Sequence, residues 1–225
     1  TVTYLFDGSI MHRDSEGNIQ EIQPGAMNLM TAGRGIAHSE RTPDVQRQGG
    51  QKMLGLQSWI ALPQASEEIA PSFQHYGADS LPTVKDTGFT ARVIAGSSFG
   101  AKSPVDMVSP WFYTEVALEA GMTVPLDPDH EERAIYLIDG EIEIAHERYQ
   151  GPRLLIFRPG DRITVKANTA ARMMFLGGDA LEGPRHIWWN FVSSSKDRIE
   201  QAKQDWKSGR FAHVPNEHEF IPLPE

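Results

Sequence analysis

Two stretches of the chain, far apart in sequence, repeat the same short pattern. Residues 4–8 read YLFDG and residues 136–140 read YLIDG. Each starts with β-forming side chains and ends in Asp-Gly, which predicts a tight hairpin turn to the next strand. A Pro-Gly pair follows each copy, at 24–25 and at 159–160. The shared order predicts two similar β-modules in tandem. The alternative is that such turns are ordinary hairpin chemistry of any all-β protein.

The rest of the chain has turn-forming residues at the spacing typical of an all-β fold. Short runs of β-branched and aromatic residues alternate with Gly, Pro, Asp and Asn, as in a β-sandwich or barrel. A stretch rich in Gly, Ser and Pro at 95–112 marks the expected boundary between modules. After Ser195 the spacing of apolar residues predicts one helix, with Gly209 as its stop. We therefore expect a first module over 1–105, a second over 106–192, and a helix with an extended tail over 193–225.

Charge and composition exclude several classes of function. The chain has 21 Lys and Arg against 30 Asp and Glu, a net charge of -9, so it lacks the basic surface that direct nucleic-acid binding requires. It has no cysteine, which excludes disulfides, thiolate metal sites and cysteine nucleophiles. No apolar run reaches the roughly 20 residues that span a bilayer, so we expect no membrane partner and a cytoplasmic location.

One short segment carries the residues best suited to chemistry. Residues 31–40 read TAGRGIAHSE, so His38 and Glu40 stand two apart in a predicted strand and share one face. An imidazole and a carboxylate placed this way can supply two ligands to a divalent metal ion without sulfur. Taken alone the spacing is a weak signal. The alternative is a pair at the edge of a pocket whose side chains hydrogen-bond to one another.

The repeat offers an internal comparison for this pair. The spacing of the Pro-Gly turns places Met173 and Phe175 of the second module where the first has His38 and Glu40. Apolar side chains cannot bind a hard metal ion. Any metal site is therefore expected in the first module.

The other histidines and the tryptophans fit simpler interpretations. His130, beside Glu131 and Glu132, is expected in a solvated acidic turn. His12 lies near a predicted hairpin tip, where a solvent-facing or capping histidine is expected, although a neighbouring strand could still bring it near the pocket. The remaining histidines are interpreted as structural or surface residues: His75, His146, His186, His213 and His218. Core or inter-module packing is the expected role of three tryptophans: Trp59, Trp188 and Trp189.

Several segments together resemble the pirin family of the cupin superfamily. They are 1–18, the string MTAGRGIAHSE at 30–40, LQSW at 56–59, and, in the bacterial branch, WNFVSSSK at 189–196 and FIPLP at 220–224. The string at 30–40 is the most specific of them. The resemblance covers nearly the whole chain.

The resemblance implies an all-β bicupin, made of two tandem cupin β-sandwich or barrel modules with a short C-terminal helix. In that family one divalent metal ion binds in the N-terminal module, usually Fe²⁺, with Zn, Mn, Ni, Cu or Co as alternatives. The ligands are two histidines of a His-Pro-His segment, a His and a Glu, and the last two correspond to His38 and Glu40. The second module has Leu126 and Pro128 in the places of the first two.

The first two family ligands would lie ten and eight residues before Tyr4, upstream of Thr1. Two interpretations stay open. Either the sequence is part of a longer chain whose preceding residues carry both histidines, which we expect because Thr1 already begins in a strand pattern, or the site has at most two protein ligands.

For function, the resemblance implies a non-haem dioxygenase of the quercetin 2,3-dioxygenase type, with a small flavonol-like aromatic as substrate. Glu40 would then be a metal ligand and a proton acceptor. The alternative is a non-enzymatic metal- or redox-sensing protein that regulates a protein partner, such as a transcription factor or an enzyme. The acidity of the chain suits a protein partner better than DNA.

Overall fold

The computed structural model describes residues 1–50 and 52–224, and these residues form two compact units. The first unit consists of residues 1–78 and 181–225, and the second of residues 79–180. Both are built mainly from short antiparallel strands, numbered β1 to β21 in chain order. The expected all-β fold is confirmed.

The first unit contains nine strands and two α-helices among the described residues. They are β1 Val2–Asp7, β2 Ile10–Asp14, β3 Ile19–Ile22, β4 Met27–Thr31, β5 His38–Arg41, α1 Asp44–Gly49, β6 Leu54–Ser58, β7 Ser72–Tyr76, β20 His186–Trp188, β21 Phe191–Ser193 and α2 Lys196–Lys207. One sheet has the order β6-β1-β4-β7 and another β3-β2-β5, while β20 and β21 form a separate pair.

The second unit consists of strands apart from a short 3₁₀ turn, Ala78–Ser80, which begins one residue before it. Its strands are β8 Thr83–Asp86, β9 Phe89–Ala95, β10 Ser97–Ser98, β11 Ala101–Lys102, β12 Trp111–Leu118, β13 Thr123–Leu126, β14 Glu132–Asp139, β15 Glu141–Ile144, β16 Glu147–Gln150, β17 Arg153–Phe157, β18 Ile163–Ala167 and β19 Ala171–Gly178. The sheets have the orders β17-β14-β19-β12-β9-β8 and β13-β18-β15-β16, and a short pair joins β10 and β11. Inward apolar side chains of both large sheets fill one core, as in a β-sandwich.

The repeat seen in the sequence is also a repeat of strand connectivity. β1 pairs with β4 and β6, and β2 with β3 and β5. In the same order, β14 pairs with β17 and β19, and β15 with β16 and β18. The register also shifts at matching places, between Leu5 and Asp7 in β1 and between Leu137 and Asp139 in β14. A shared irregularity is a stronger sign of common architecture than turn residues alone, because bulges are specific features of a strand pair.

The Asp-Gly turns differ from the hairpins that the sequence predicts. Gly8 and Gly140 take positive φ values of 79° and 91°, as tight turns require. However, β1 and β2 belong to different sheets, and so do β14 and β15. Each Asp-Gly therefore carries the chain from one sheet to the facing sheet. The hairpin prediction was wrong because turn chemistry fixes the local bend but does not decide which strands pair.

The compact units also differ from the expected module boundaries. β8 and β9 precede residue 105. However, β9 pairs with β12 and β8 pairs with β9, so both strands belong to the second unit. The predicted helix is confirmed as α2, where the Ser195 hydroxyl accepts a hydrogen bond from the Arg198 N–H and caps the first turn. The helix and the tail that follows belong to the first unit rather than to a separate part.

The aromatic residues near the C-terminus pack together within the first unit. Trp189 lies edge-on to Trp206 of α2 at 5.4 Å, and Trp188 stacks on Phe191 at 6.2 Å, so both half-buried rings pack on aromatic neighbours within the first unit. Trp59 is 49% exposed, so the prediction that it packs in a core was wrong. None of the helices in the described residues is long and apolar enough to cross a membrane.

Candidate metal centre

A row of four polar side chains crosses the first sheet of the first unit. Gln57, Thr3, Asn28 and His75 lie on β6, β1, β4 and β7, and each is directly opposite the next. Residues directly opposite in antiparallel strands place their side chains on the same face of the sheet. We call these four residues the polar row. Thr3 and Asn28 also line a depression on the inward side of this unit.

The second sheet of this unit supplies the two imidazoles and the carboxylate of the depression. His38 and Glu40 lie on β5 and His12 lies on β2, and all three line it together with Met30 and Phe73. In the pairing of β2 with β5, His12 is opposite Glu40. The alternation predicted for β5 therefore brings His38 and Glu40 to one depression.

Hydrogen bonds from the first sheet hold the Glu40 carboxylate. The Thr3 hydroxyl donates to Glu40 Oε1 at 3.3 Å, and Gln57 Nε2 donates to Oε2 at 2.6 Å. Gln57 also donates to the Thr3 hydroxyl at 3.0 Å. Glu40 is thus oriented from across the depression. The predicted alternative, a hydrogen bond between His38 and Glu40, is not among the contacts of the described residues.

His12 is buried, with 1% of its surface exposed, so the prediction of a solvent-facing histidine was wrong. Its Nε2 donates to Asp14 Oδ2 at 3.0 Å, and its ring stacks on Phe73 with centroids 4.3 Å apart. Burial alone would raise the pKa of the Asp14 carboxyl, but hydrogen bonds from His12 and Asn18 outweigh it and lower that pKa. Sequence spacing did not predict the burial of His12 and Asp14, because that burial depends on the pairing of β2 with β5, which is distant in the chain.

The His38 imidazole lies at the open side of the depression and is exposed to solvent, yet it is crowded by its neighbours. Its ring stacks on His12 with centroids 5.7 Å apart. Desolvation lowers the pKa of His38, and the neighbouring His12 lowers it further, while Glu40 raises it in part. The lowered pKa favours the neutral imidazole, which is the form that binds a metal ion.

The chemistry of this donor set fits part of a metal site. A neutral imidazole at His38 and a carboxylate at Glu40 are both suitable ligands, and each Glu40 oxygen keeps a second lone pair beyond the hydrogen bond it accepts. Over the part of the chain that the structure describes, no three His, Asp or Glu side chains converge to hold an ion. Among the described residues, His38 and Glu40 are therefore the two candidate ligands of this depression.

The second unit has apolar residues at the positions of this site. Thr3 and Gln57 correspond to Ile135 and Phe175, because these pairs are opposite each other in β1–β6 and β14–β19. Asn28 corresponds to Leu155 by the same pairing argument. The polar row thus has no polar counterpart in the second unit.

The predicted counterparts of His38 and Glu40 need a correction. Matching β2–β5 to β15–β18 sets Ile163 and Val165, not Met173 and Phe175, in their places. The Pro-Gly pairs misled the comparison because 24–25 precedes β4, whereas 159–160 follows β17, its counterpart. Both corrected residues are apolar and buried, so the inference that the second module lacks these two ligands holds.

His130 lies in the predicted acidic turn between β13 and β14, but its side chain is only 20% exposed. Its Nδ1 is 3.2 Å from Asp179 Oδ1, and its ring stacks on Phe112 with centroids 5.2 Å apart. The loop is thus tied to its own unit by a histidine. This residue is a structural contact of the second unit.

The sequence matches two family models that together cover most of the chain. Residues 1–60 match the model described as Pirin, and residues 113–212 match the Pirin C-terminal cupin domain. A pirin-like protein of Caulobacter vibrioides is 49% identical over 100% of this chain and 78% of its own length. The chain belongs to the pirin family.

Solved structures agree with this assignment. A quercetin 2,3-dioxygenase from Acinetobacter baumannii superposes with a TM-score of 0.88 at 30% identity, over 100% of this chain and 75% of its own. The bacterial pirin YhhW from Escherichia coli, solved in complex with nickel(II), has a TM-score of 0.60 at 19% identity, over 79% of this chain and 71% of its own. The second comparison supports the fold alone. The expected pirin fold of two cupin modules is confirmed.

Proposed function

We propose that this pirin is a metal-dependent oxidoreductase of the quercetin 2,3-dioxygenase type, acting on a flavonol-like aromatic. The observation that carries the proposal is the convergence of His38 and Glu40 on one depression, with Glu40 held by Thr3 and Gln57. The similarity to the A. baumannii quercetin 2,3-dioxygenase supports the reaction class.

His38 and Glu40 would be two of the ligands of a single divalent ion, with Fe²⁺ as the first candidate. The family resemblance implies a His-Pro-His segment as the source of two further histidine ligands. When bound, the ion would supply the redox chemistry and a Lewis-acid contact for a substrate oxygen. The protein would contribute position, proton transfer and exclusion of water.

The proposed proton acceptor is Glu40. A flavonol hydroxyl becomes reactive toward O₂ when it loses its proton, and a carboxylate within hydrogen-bond reach can accept that proton. Thr3 and Gln57 fix the carboxylate, so it does not need to reorganise when the substrate arrives. Met30 and Phe73 line the same depression and offer apolar surface to an aromatic ring.

The test is turnover of quercetin by full-length, iron-loaded protein in air, followed by loss of quercetin absorbance and by O₂ consumption. Glu40→Gln keeps the shape of the side chain but removes the proton acceptor, so we expect kcat to fall by about 100-fold or more. The matched control is Glu132→Gln in the second unit, which should leave kcat unchanged. Absence of metal-dependent quercetin loss in the wild type, or full activity in Glu40→Gln, would contradict the proposal.

A further inference from the structure

The side-chain amide of Asn28, in the middle of the polar row, has a nitrogen that no other described residue pairs with. The residue is 2% exposed and lines the depression beside Thr3. Its Nδ2 has no hydrogen-bond partner among the described residues. Buried polar groups in folded proteins are nearly always paired, so an unpaired donor that faces a depression calls for an acceptor.

His75 fixes which end of this amide faces the depression. His75 Nδ1 lies 2.7 Å from Asn28 Oδ1, and the ring donates to this oxygen in the tautomer that carries its proton on Nδ1. Burial lowers the pKa of His75, which favours the neutral imidazole with one N–H. With Oδ1 engaged by β7, the Nδ2 group is left to donate into the depression.

The neighbours of Asn28 define what that acceptor can be. Apolar surface from Met30 and Phe73 lies on the same wall, and the carboxylate of Glu40 lies across from it, held by Thr3. An acceptor here must therefore be carried by a ligand with an apolar body. A negatively charged oxygen on an aromatic ring fits this description, since an amide N–H stabilises such an oxygen and apolar surface packs against the ring.

Resting on the proposed function, we infer that Asn28 is a specificity residue whose Nδ2 donates a hydrogen bond to the deprotonated hydroxyl oxygen of an aromatic enol substrate, with His75 as the positioning residue. The second unit, which lacks the candidate ligands, also lacks this donor. It has Leu155 at the position of Asn28, where no such donor exists.

The test compares two ligands that differ by one oxygen. Quercetin and luteolin share the same ring system, but luteolin lacks the 3-hydroxyl. Dissociation constants are measured for both under argon, with metal-loaded full-length protein, so that turnover does not interfere. The quantity that matters is the ratio of the two constants. Contacts of the 3-hydroxyl oxygen with groups other than Asn28 contribute to the ratio in every variant. The difference in the ratio between wild type and an Asn28 variant therefore measures the contribution of Asn28.

In Asn28→Ala we expect the preference for quercetin over luteolin to fall about tenfold, the size expected for a hydrogen bond to a charged acceptor. Asn28→Asp keeps the shape but replaces the donor by an acceptor, so its preference should fall at least as far. His75→Phe keeps Asn28 but frees its amide to rotate, and a smaller fall is expected. The control Met30→Leu lies on the same strand and face, has no donor, and should leave the ratio unchanged.

Three other outcomes would overturn the inference. An unchanged ratio in both Asn28 variants, with both still folded by their thermal transitions, would show that Asn28 binds water or nothing. An equal fall in Met30→Leu would assign the effect to shape. Both of these leave the proposed function standing, because quercetin turnover is measured separately. Failure of the wild type to bind either compound would overturn the substrate class and the role of Asn28 together.

Discussion

At the scale of single residues, alternation along β5 places the candidate ligands on one face of the strand and the residues that bind the C-terminal tail on the other. His38 and Glu40 of β5 line the depression, whereas Ser39 and Arg41 between and beyond them bind the C-terminal tail. Period-two alternation was visible in the sequence, and it identified both candidate ligands. It could not identify the polar row, because its four members come from four strands that are distant in the chain.

The two neighbouring histidines of the site should differ in their effect on stability. His38 is exposed, so His38→Ala should change the free energy of unfolding by less than about 1 kcal/mol. His12 is buried and donates to Asp14, so His12→Ala leaves a buried carboxylate without that donor and should cost about 2–4 kcal/mol. Urea unfolding in metal-free buffer measures both. Equal losses would contradict the assignment of His12 to structure and of His38 to binding.

At the scale of elements, the C-terminal tail braces the strand that carries the candidate ligands. Glu217 accepts hydrogen bonds from the Arg41 guanidinium at 2.7 Å and from the Ser39 hydroxyl at 2.6 Å. Hydrogen bonds from Arg41 and Ser39 lower the pKa of Glu217 from its ordinary 4.5 to about 2. A tail that reads in sequence only as Pro-rich and extended is thus attached to β5 by charge-assisted hydrogen bonds.

The brace predicts an acid-dependent contribution to stability. Because the folded-state pKa of Glu217 is below its unfolded value, the stabilisation is complete above about pH 4.5 and is lost as the pH falls toward 2. Glu217→Gln should lower the free energy of unfolding by about 1 kcal/mol at pH 7, with the difference from wild type vanishing near pH 2. Amide exchange in β5 should also become faster.

The control is Glu219→Gln. Glu219 also reaches Arg41, at 2.9 Å, but its side chain is 75% exposed, so solvent screens the pair and little change is expected. A difference between Glu217→Gln and wild type that stays constant down to pH 2 would contradict the account of the brace.

At the scale of the whole molecule, the repeated Tyr-Leu-x-Asp-Gly pattern predicted the duplication, and the matching strand connectivity and register shift agree with it. What the sequence could not supply was the alignment of the copies beyond that anchor. Pro-Gly turns depend on local backbone geometry and recur at non-equivalent corners, whereas equivalent positions are defined by long-range strand pairing. The apolar character of the second copy was nevertheless predicted, since Ile163 and Val165 are as unsuited to a metal ion as Met173 and Phe175.

The central claim is that the first unit alone holds a metal ion, through His38 and Glu40. The most direct test is elemental analysis of the purified full-length protein and of three variants, after reconstitution with Fe²⁺. We expect near-stoichiometric metal in the wild type, loss of metal in His38→Ala and Glu40→Ala, and full retention in the second-unit control His130→Ala. No metal in the wild type, or metal that survives both first-unit substitutions, would contradict the account.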